Sequence, residues 1–315
     1  MAQVVGTISL SHSPLWNLAP DPATGEPGAE FVESVEHARG ILDSLRPDAV
    51  VIFGPDHARG VFYDLLPPFT IGIERVEGVG DYCTPKGELP LATGLAKAIF
   101  EGVTKRGFDP AISLDMRIDH GLTQVYARLV PHLDIPIVPV IVNSGCPPLP
   151  SFERSYDFGN AVGEAIAEST GFERVVTIGS GGMSHWPASI DAYDETITPE
   201  WRDFLIHGRP RVDEVEAGRV ARAQALADGN ATGEVADGWD TALLRRLAAD
   251  PATLRTLDGE DVVGLAGPGA CELRTWAAAS AAWGGELAWT AYESVPKWIT
   301  GMGVVASLAP VKAAI

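Results

Sequence analysis

The sequence is poor in cysteine, in basic residues and in long apolar runs, and each shortage excludes a class of protein. Its only cysteines among 315 residues are Cys83, Cys146 and Cys271, and none of them forms a C-x-x-C pair. A disulfide framework or a zinc knuckle is therefore not indicated, and we expect three free thiols. The 23 Lys and Arg residues are outnumbered by 42 Asp and Glu residues. The resulting net charge of −19 disfavours binding to nucleic acid or to anionic lipid.

We expect neither a membrane anchor nor an export signal from the sequence. Its most apolar run, residues 135–142, is far too short to span a bilayer and contains two prolines. The first fifteen residues lack a basic start, and they carry His12 and Pro14 where a signal peptide would have its apolar core. These features predict a cytoplasmic protein.

Short β-branched runs alternate with amphipathic segments of helical length. Runs rich in Val and Ile predict buried strands at residues 4–9, 49–53, 137–142 and 175–178. Apolar residues with helical spacing predict helices at residues 30–45, 91–105, 123–133 and 155–169. This alternation indicates an α/β fold with a central, mostly parallel or mixed sheet flanked by helices.

The C-terminal half changes character. Residues 199–283 are rich in Ala, Arg and Asp and keep helical spacing, which predicts a helical insertion. Residues 286–308 alternate again and are expected to return one or two strands to the sheet. Since the sequence has no linker long enough to separate domains, we expect a single domain over residues 1–315.

Four of the seven histidines lie at the ends of predicted strands or before a predicted helix. His12 and His57 follow the first two strands, His120 precedes a helix, and His185 follows the strand at 175–178. Ligands of open α/β sheets bind beyond the carboxyl ends of the strands, so these imidazoles would converge on one crevice if the strands are neighbours. The other histidines, at positions 37, 132 and 207, are expected on the surface.

Two neutral imidazoles in such a crevice suit Fe(II) or Zn(II), which usually adds a carboxylate ligand. Spacing does not single out that carboxylate, because Asp56, Asp119 and Glu272 all compete. Asp56 and Asp119 could instead orient the imidazoles that follow them in the sequence. Competing motifs fail: the glycine-rich segment 179–184 has Ser184 where a dinucleotide fingerprint has its third glycine, and no nucleophile elbow or P-loop occurs.

Several short motifs extend over nearly the whole chain. They are SHSPL at 11–15, PDH at 55–57, FYD at 62–64, PPF at 67–69, DHG at 119–121, GSGGMSH at 179–185, ELRTW at 272–276 and PKWITG at 296–301. In residues and order they resemble the class III (LigB-type) extradiol ring-cleaving dioxygenases. The resemblance implies a LigB-like α/β fold and an oxidoreductase that opens a catechol ring with both atoms of O₂.

The resemblance also implies a mononuclear non-haem Fe(II) held by two histidines and one glutamate. On the matching motifs these metal ligands are His12, His57 and Glu272, and the two acid–base residues are His120 and His185. The implied partners are O₂ and a catecholic small molecule, which we expect to be a 3-substituted catechol of the 2,3-dihydroxyphenylpropionate or 2,3-dihydroxycinnamate type. A homo-oligomer is also expected, because enzymes of this family commonly form one.

Alternative functions remain open at this point. The substrate could be another catecholic acid, of the gallate or protocatechuate type. A LigB-like fold could also hold zinc for hydrolysis, or serve as a binding module. Metal analysis separates the zinc case, because zinc cannot donate electrons to O₂.

The chain departs from the family pattern beside the predicted site. Arg59 is a cation within reach of an anionic substituent, although a solvated loop arginine is an equal interpretation. Trp186 replaces a more usual polar residue after the second acid–base histidine. Together with Phe62, Tyr63 and Phe69 it could line an aromatic pocket, but core packing is the favoured explanation for these rings.

Overall fold

The computed structural model describes residues 1–228 and 233–310. Within these ranges the chain forms nine strands and nine α-helices. The strands are β1 (Gln3–Leu10), β2 (Ala49–Gly54), β3 (Phe69–Val79), β4 (Lys86–Glu88), β5 (Ala111–Ile118), β6 (Ile137–Val142), β7 (Arg174–Ser180), β8 (Trp289–Val295) and β9 (Thr300–Ala306). The helices are α1 (Ala29–Leu45), α2 (Thr93–Lys105), α3 (His120–Leu129), α4 (Phe152–Glu168), α5 (Pro199–His207), α6 (Val212–Asp228), α7 (Asp237–Ala249), α8 (Gly259–Ala266) and α9 (Leu273–Trp283). The predicted domain covers residues 1–315, of which residues 229–232 and 311–315 lie outside the described residues. That the chain forms a single domain stays a prediction.

All nine strands belong to one mixed sheet. Its order is β4-β3-β6-β2-β7-β1-β9-β8, and β5 pairs with β3 outside this path. The four central strands β6, β2, β7 and β1 are parallel neighbours. Strands β3 and β9 join them antiparallel on the two sides. The predicted α/β fold with a mixed sheet is therefore confirmed.

Helices cover both faces of the central strands, which explains their composition. Every residue of β2 and β6 is buried, and both strands consist largely of Val and Ile. One core cluster joins the sheet to α1 and α3, and a second joins it to α2, α4 and α9. Strands enclosed on two faces have no solvent side, so their sequences read as continuous apolar runs.

Pro139 lies inside the central strand β6, where a proline is unusual because it has no N–H to donate to a neighbouring strand. The ladder between β3 and β6 covers residues 140–142 and ends before Pro139. Gly72 of β3 lies opposite, and a Cβ there would be 2.9 Å from Pro139 Cγ. Pro139, which has no N–H, and Gly72, which has no side chain, therefore lie next to each other at the point where the pairing between β3 and β6 ends.

The helical insertion predicted at residues 199–283 is confirmed as α5 to α9, which lie between β7 and β8, although α9 packs against the central sheet. The predicted C-terminal strands are confirmed as β8 and β9. The helix predicted at 123–133 instead begins at His120, because the Asp119 side chain accepts from the Gly121 N–H and caps the helix there. Among the described residues, no helix combines the length and apolar character needed to cross a bilayer. The cytoplasmic location stays a prediction. All three cysteines are free, as predicted.

Candidate active site

The central parallel strands bring three of the four singled-out histidines to one edge of the sheet. Strands β2, β7 and β1 are direct neighbours and end at Gly54, Ser180 and Leu10. His57, His185 and His12 lie in the loops that follow these ends. Parallel strands point their carboxyl ends the same way, so the three loops border one crevice, as the sequence predicted.

His120 joins this group from the first turn of α3. Its ring stacks on that of His57, with the centroids 4.3 Å apart. The His12 ring stands edge-on to both, with centroid distances of 5.4 Å to each. Nitrogen atoms of His12, His57 and His120 lie within 4.8 Å of one another, a spacing at which they could hold a metal ion. The other three histidines, at positions 37, 132 and 207, are exposed, as predicted.

Glu272 ends the short 3₁₀ segment before α9 and turns a buried carboxylate toward the imidazoles. Its oxygens lie 3.2 Å from His57 Nε2, 3.7 Å from His12 Nε2 and 3.8 Å from His185 Nε2. The Gly182 N–H donates to Oε2 over 2.6 Å. Within the described part of the chain, no Lys or Arg lies within 4 Å of this carboxylate. A buried carboxylate that faces three imidazoles and, among the described residues, has no Lys or Arg partner fits a divalent cation, which the imidazoles could bind together with it.

The two imidazoles nearest to Glu272 are fixed through their other nitrogens. His12 Nδ1 lies 3.1 Å from Ser180 Oγ. Asp119 Oδ2 accepts from the His57 N–H over 2.8 Å and lies 3.1 Å from His57 Nδ1. Because Nδ1 is occupied in both rings, Nε2 is left to face Glu272, which is the arrangement of histidine metal ligands held by outer partners.

The remaining two imidazoles are anchored in the same way by different acceptors. His120 Nδ1 lies 2.6 Å from Asp81 Oδ2, and His185 Nδ1 lies 3.0 Å from the Met183 carbonyl oxygen. A carbonyl oxygen only accepts, so Nδ1 of His185 carries a proton. Each ring therefore has an Nε2 that is available to a ligand.

Burial and neighbouring charges set the protonation of this cluster. Burial lowers the pKa of His12 to about 3, so this ring is neutral. Burial opposes protonation of His57 too, but the carboxylates of Asp119 and Glu272 outweigh it and raise the pKa of His57 to about 10. For Glu272, burial is outweighed by the imidazoles, which hold the carboxyl pKa well below its ordinary value. The carboxylate is thus ionised, and a bound cation would compete with the proton on His57.

The loop after β2 corrects the expectations for Asp56 and Arg59. Asp56 accepts from the backbone N–H groups of residues 59, 60 and 61, so it shapes its own loop and does not orient an imidazole. The Arg59 side chain is fully buried and lies 3.1 Å from Asp81 and 3.0 Å from Glu216. It is therefore neither a solvated loop residue nor a free cation.

The comparisons with known proteins agree with this geometry. A family model described as "Catalytic LigB subunit of aromatic ring-opening dioxygenase" matches residues 6–303. The chain belongs to the LigB family. The prediction of an extradiol catechol dioxygenase with a LigB-like fold is thereby confirmed, whereas the roles of individual residues stay predictions.

Curated LigB relatives align with nearly the whole chain. A Paraburkholderia phymatum protein named 2,3-dihydroxyphenylpropionate/2,3-dihydroxicinnamic acid 1,2-dioxygenase is 36% identical to this chain. The alignment covers 94% of this chain and 95% of the relative. The corresponding protein of Mycolicibacterium smegmatis is 36% identical, over 94% and 96%. A solved structure of an uncharacterized protein from Escherichia coli K12 has a TM-score of 0.52 at 15% identity, covering 96% of this chain and 99% of that one. This last likeness supports the LigB fold alone.

Close backbone approaches explain the glycine-rich segment after β7. A Cβ at Gly182 would lie 2.3 Å from Cε1 of the His185 ring, and one at Gly269 would lie 2.2 Å from its Nε2. The glycines thus make room for the imidazole of this LigB chain rather than for a dinucleotide. Ser184, just before His185, donates through its N–H and its hydroxyl to the buried Asp240 of α7, over 3.0 and 2.6 Å.

The aromatic residues near the site serve mainly as core. Phe69 stacks on Phe158 in the sheet core, and Phe62 packs edge-on to Phe204. Tyr63 is half-buried, and Trp186 is 37% exposed beside Gly267. The expected core packing is confirmed for the two phenylalanines.

Sequence reasoning missed the partners that orient the imidazoles. The sequence assigned no role to Asp81, yet its carboxylate anchors His120. Asp119 orients His57, 62 residues earlier, rather than its sequence neighbour His120. A carboxylate that must serve a ring on another loop leaves no spacing signal, so only the fold identifies it.

Replacing Asp119 with asparagine is expected to weaken metal binding about 10- to 100-fold, the usual effect of losing an outer partner of a histidine ligand. The amide would turn N–H groups toward the His57 donors or leave them unpaired, which should also destabilise the fold by roughly 1–3 kcal/mol. Metal titration and denaturant unfolding measure the two effects. The control is Asp109→Asn, a change of the same kind at an exposed position. If Asp119→Asn leaves the metal affinity unchanged, Asp119 only caps α3 and does not support a metal ligand.

Proposed function

We propose that this LigB chain is an Fe(II)-dependent extradiol dioxygenase for a 3-substituted catechol of the 2,3-dihydroxyphenylpropionate or 2,3-dihydroxycinnamate type. The observation that carries the proposal is the buried carboxylate of Glu272, faced by His12 and His57, with two further imidazoles beside it. The names of the curated relatives supply the substrate type. The proposal includes one catalytic domain over residues 1–315 and a homo-oligomeric state.

In this proposal His12, His57 and Glu272 hold the iron. Two imidazoles and one carboxylate leave further coordination positions for the two catechol oxygens and O₂. Fe(II), when bound, supplies electrons toward O₂ and makes the catechol hydroxyls more acidic. The protein has to place the catechol, exclude competing ligands and move two protons.

His120 is proposed as the base that takes a proton from a catechol hydroxyl. Its Nδ1 is hydrogen-bonded to Asp81, a carboxylate that also lies 3.1 Å from the Arg59 guanidinium. With the proton held at Nδ1, the Nε2 lone pair is the acceptor. Asp81 then stabilises the imidazolium that forms, as an orienting carboxylate does for other catalytic histidines.

His185 is proposed as the acid that donates a proton to the departing oxygen when the O–O bond breaks and the ring opens. Its Nδ1–H donates to the Met183 carbonyl, so the proton is transferred through Nε2. Gly182 and Gly269 confine the ring on two sides and limit its rotation. A ring held in this way keeps Nε2 on the Glu272 side of the crevice, where the substrate would lie.

The test is a ring-opening assay on protein reconstituted with Fe(II) in the absence of air. We expect 2,3-dihydroxyphenylpropionate and air to give one O₂ consumed per catechol, with the visible absorbance of a ring-opened dienoate. The same protein reconstituted with Zn(II) is the control and should be inactive.

Other outcomes of this assay separate the alternatives. Turnover of gallate or protocatechuate in place of the 3-substituted catechol would keep the reaction and change the substrate. Protein that binds zinc, refuses iron and opens no catechol would contradict the proposal. The molecular mass of the reconstituted protein in solution tests the homo-oligomer.

A further inference from the structure

Helix α6 of the C-terminal insertion lies against the edge of the proposed site. It packs against the 3₁₀ segments Pro14–Leu18 and Asp81–Cys83, which flank His12 and carry Asp81. Two of its side chains reach the loop after β2. Glu216 binds Arg59 through both carboxylate oxygens, at 3.0 Å each, and Arg219 reaches the backbone of the metal-ligand loop.

Among the described residues, the hydrogen bonds of the Arg219 guanidinium go to two backbone carbonyl groups, one of them that of His57. One terminal nitrogen donates to the His57 carbonyl oxygen over 2.7 Å, and the other donates to the Ala58 carbonyl oxygen over 3.2 Å. The Trp201 ring stands on another side, with its centroid 5.6 Å from Arg219 Cζ. These bonds use two of five N–H groups, so the arginine keeps donors for a further acceptor.

The two arginines of this region differ in their charge balance. Arg59 has the carboxylates of Asp81, Glu216 and Asp119 at 3.1, 3.0 and 3.7 Å. Arg219 has no carboxylate within 4 Å anywhere in residues 1–228 and 233–310. Burial and the charge of Arg59 lower the pKa of Arg219, although a guanidinium stays protonated at neutral pH. A positive charge that is half-buried and unpaired is incompletely satisfied, and an anion would complete it.

We propose that Arg219 binds the carboxylate of the substrate's side chain. The inference rests on the proposed function and names the residue that would select an acidic 3-substituent. The catechol would bind at the metal that Nε2 of His57 helps to hold, and Arg219 donates to the carbonyl oxygen of that same residue. A substituent directed along the His57 loop would therefore reach the guanidinium. Arg59, the cation that the sequence had suggested for this task, is already neutralised by its three carboxylates.

The substrate pair that tests this subsite is 2,3-dihydroxyphenylpropionate and 3-propylcatechol, which have side chains of similar length but only one carboxylate. A charge-assisted pair in a partly buried site should favour the acid by roughly 10- to 100-fold. In Arg219→Gln we expect the ratio of kcat/KM for the acid to that for the neutral catechol to fall by this factor, mainly through KM. Arg219→Lys keeps the charge but loses the planar guanidinium, so its ratio of kcat/KM values should lie between those of the wild type and Arg219→Gln.

Arg222→Gln is the matched control, because Arg222 is exposed on the same helix. If Arg219→Gln lowers kcat/KM equally for both substrates, the inference is overturned and Arg219 only holds the His57 loop. If kcat/KM changes for neither substrate, the inference is overturned as well. Affinity for the acid is also measured without air on Fe(II)-loaded protein. If the wild type binds the acid but never opens it, the proposed function fails, while the contrast in Kd between wild type and Arg219→Gln still decides the subsite.

Discussion

Glu272→Gln is expected to lose iron and, with it, ring opening. The substitution keeps the size of the side chain but removes the one carboxylate that, within residues 1–228 and 233–310, lies within 4 Å of both His12 and His57. Changes to outer partners of metal ligands already weaken metal binding 10- to 100-fold, so losing a charged ligand should weaken it by more than about 100-fold. Iron content after dialysis against a chelator measures this directly, and O₂ uptake follows it.

The exposed Glu286→Gln is the control, because it removes the same charge from the surface. A second comparison, of Glu272→Gln with His120→Gln, is needed because nitrogens of His12, His57 and His120 are also close enough to share a metal. If Glu272→Gln keeps its iron while His120→Gln loses it, the third ligand is His120 and the proposed site is wrong. The comparison requires that both variants are folded, which an unfolding midpoint close to that of the wild type would show.

Replacing His120 or His185 with glutamine should slow ring opening about 10²- to 10⁴-fold and leave the iron content unchanged. This is the usual contribution of a positioned acid or base. The two variants should differ with a nitro-substituted catechol, whose hydroxyl is already ionised at neutral pH. That substrate needs no base, so it should restore more of the rate in His120→Gln than in His185→Gln.

His37→Gln, an exposed change on α1, is the control for this pair. Loss of iron in His185→Gln would contradict the role of His185 as an acid. Equal rescue of both variants by the ionised catechol would contradict the division of labour while leaving both histidines in the reaction. The reverse pattern of rescue would exchange the two roles.

The sequence was sufficient for the parts of the fold that are buried on two sides. Strands β2 and β6 are enclosed, so their β-branched runs stand out, and the histidines that follow such strands could be placed in one crevice. Strand β5 was not predicted, although its apolar residues alternate with polar ones at positions 112, 114, 116 and 118. It is an edge strand on which Ile112 and Leu114 are exposed. The short strand β4 offers only three residues of pattern.

The sequence was insufficient where a contact depends on how distant loops meet. The pairs His57–Asp119 and His120–Asp81 join different loops, and neither choice follows from spacing. Helix α6 lies in the helical stretch predicted at residues 199–283, but its apolar residues are spread around the helix and do not show which surface it covers. The contrast between a neutralised Arg59 and an unpaired Arg219 depends on that packing.

The strand order also fixes when the site can exist during synthesis of the chain. Strand β1 pairs with β7 and β9, so the first strand waits for one partner made past the middle of the chain and for another made near its end. His12 and His57 leave the ribosome long before Glu272, which follows in the last part of the chain. Pairing between such distant segments is slow, because a long loop must close before any contact rewards it. A nascent chain therefore lacks the proposed carboxylate ligand until Glu272 is made, and under this proposal metal loading belongs to the last steps of maturation.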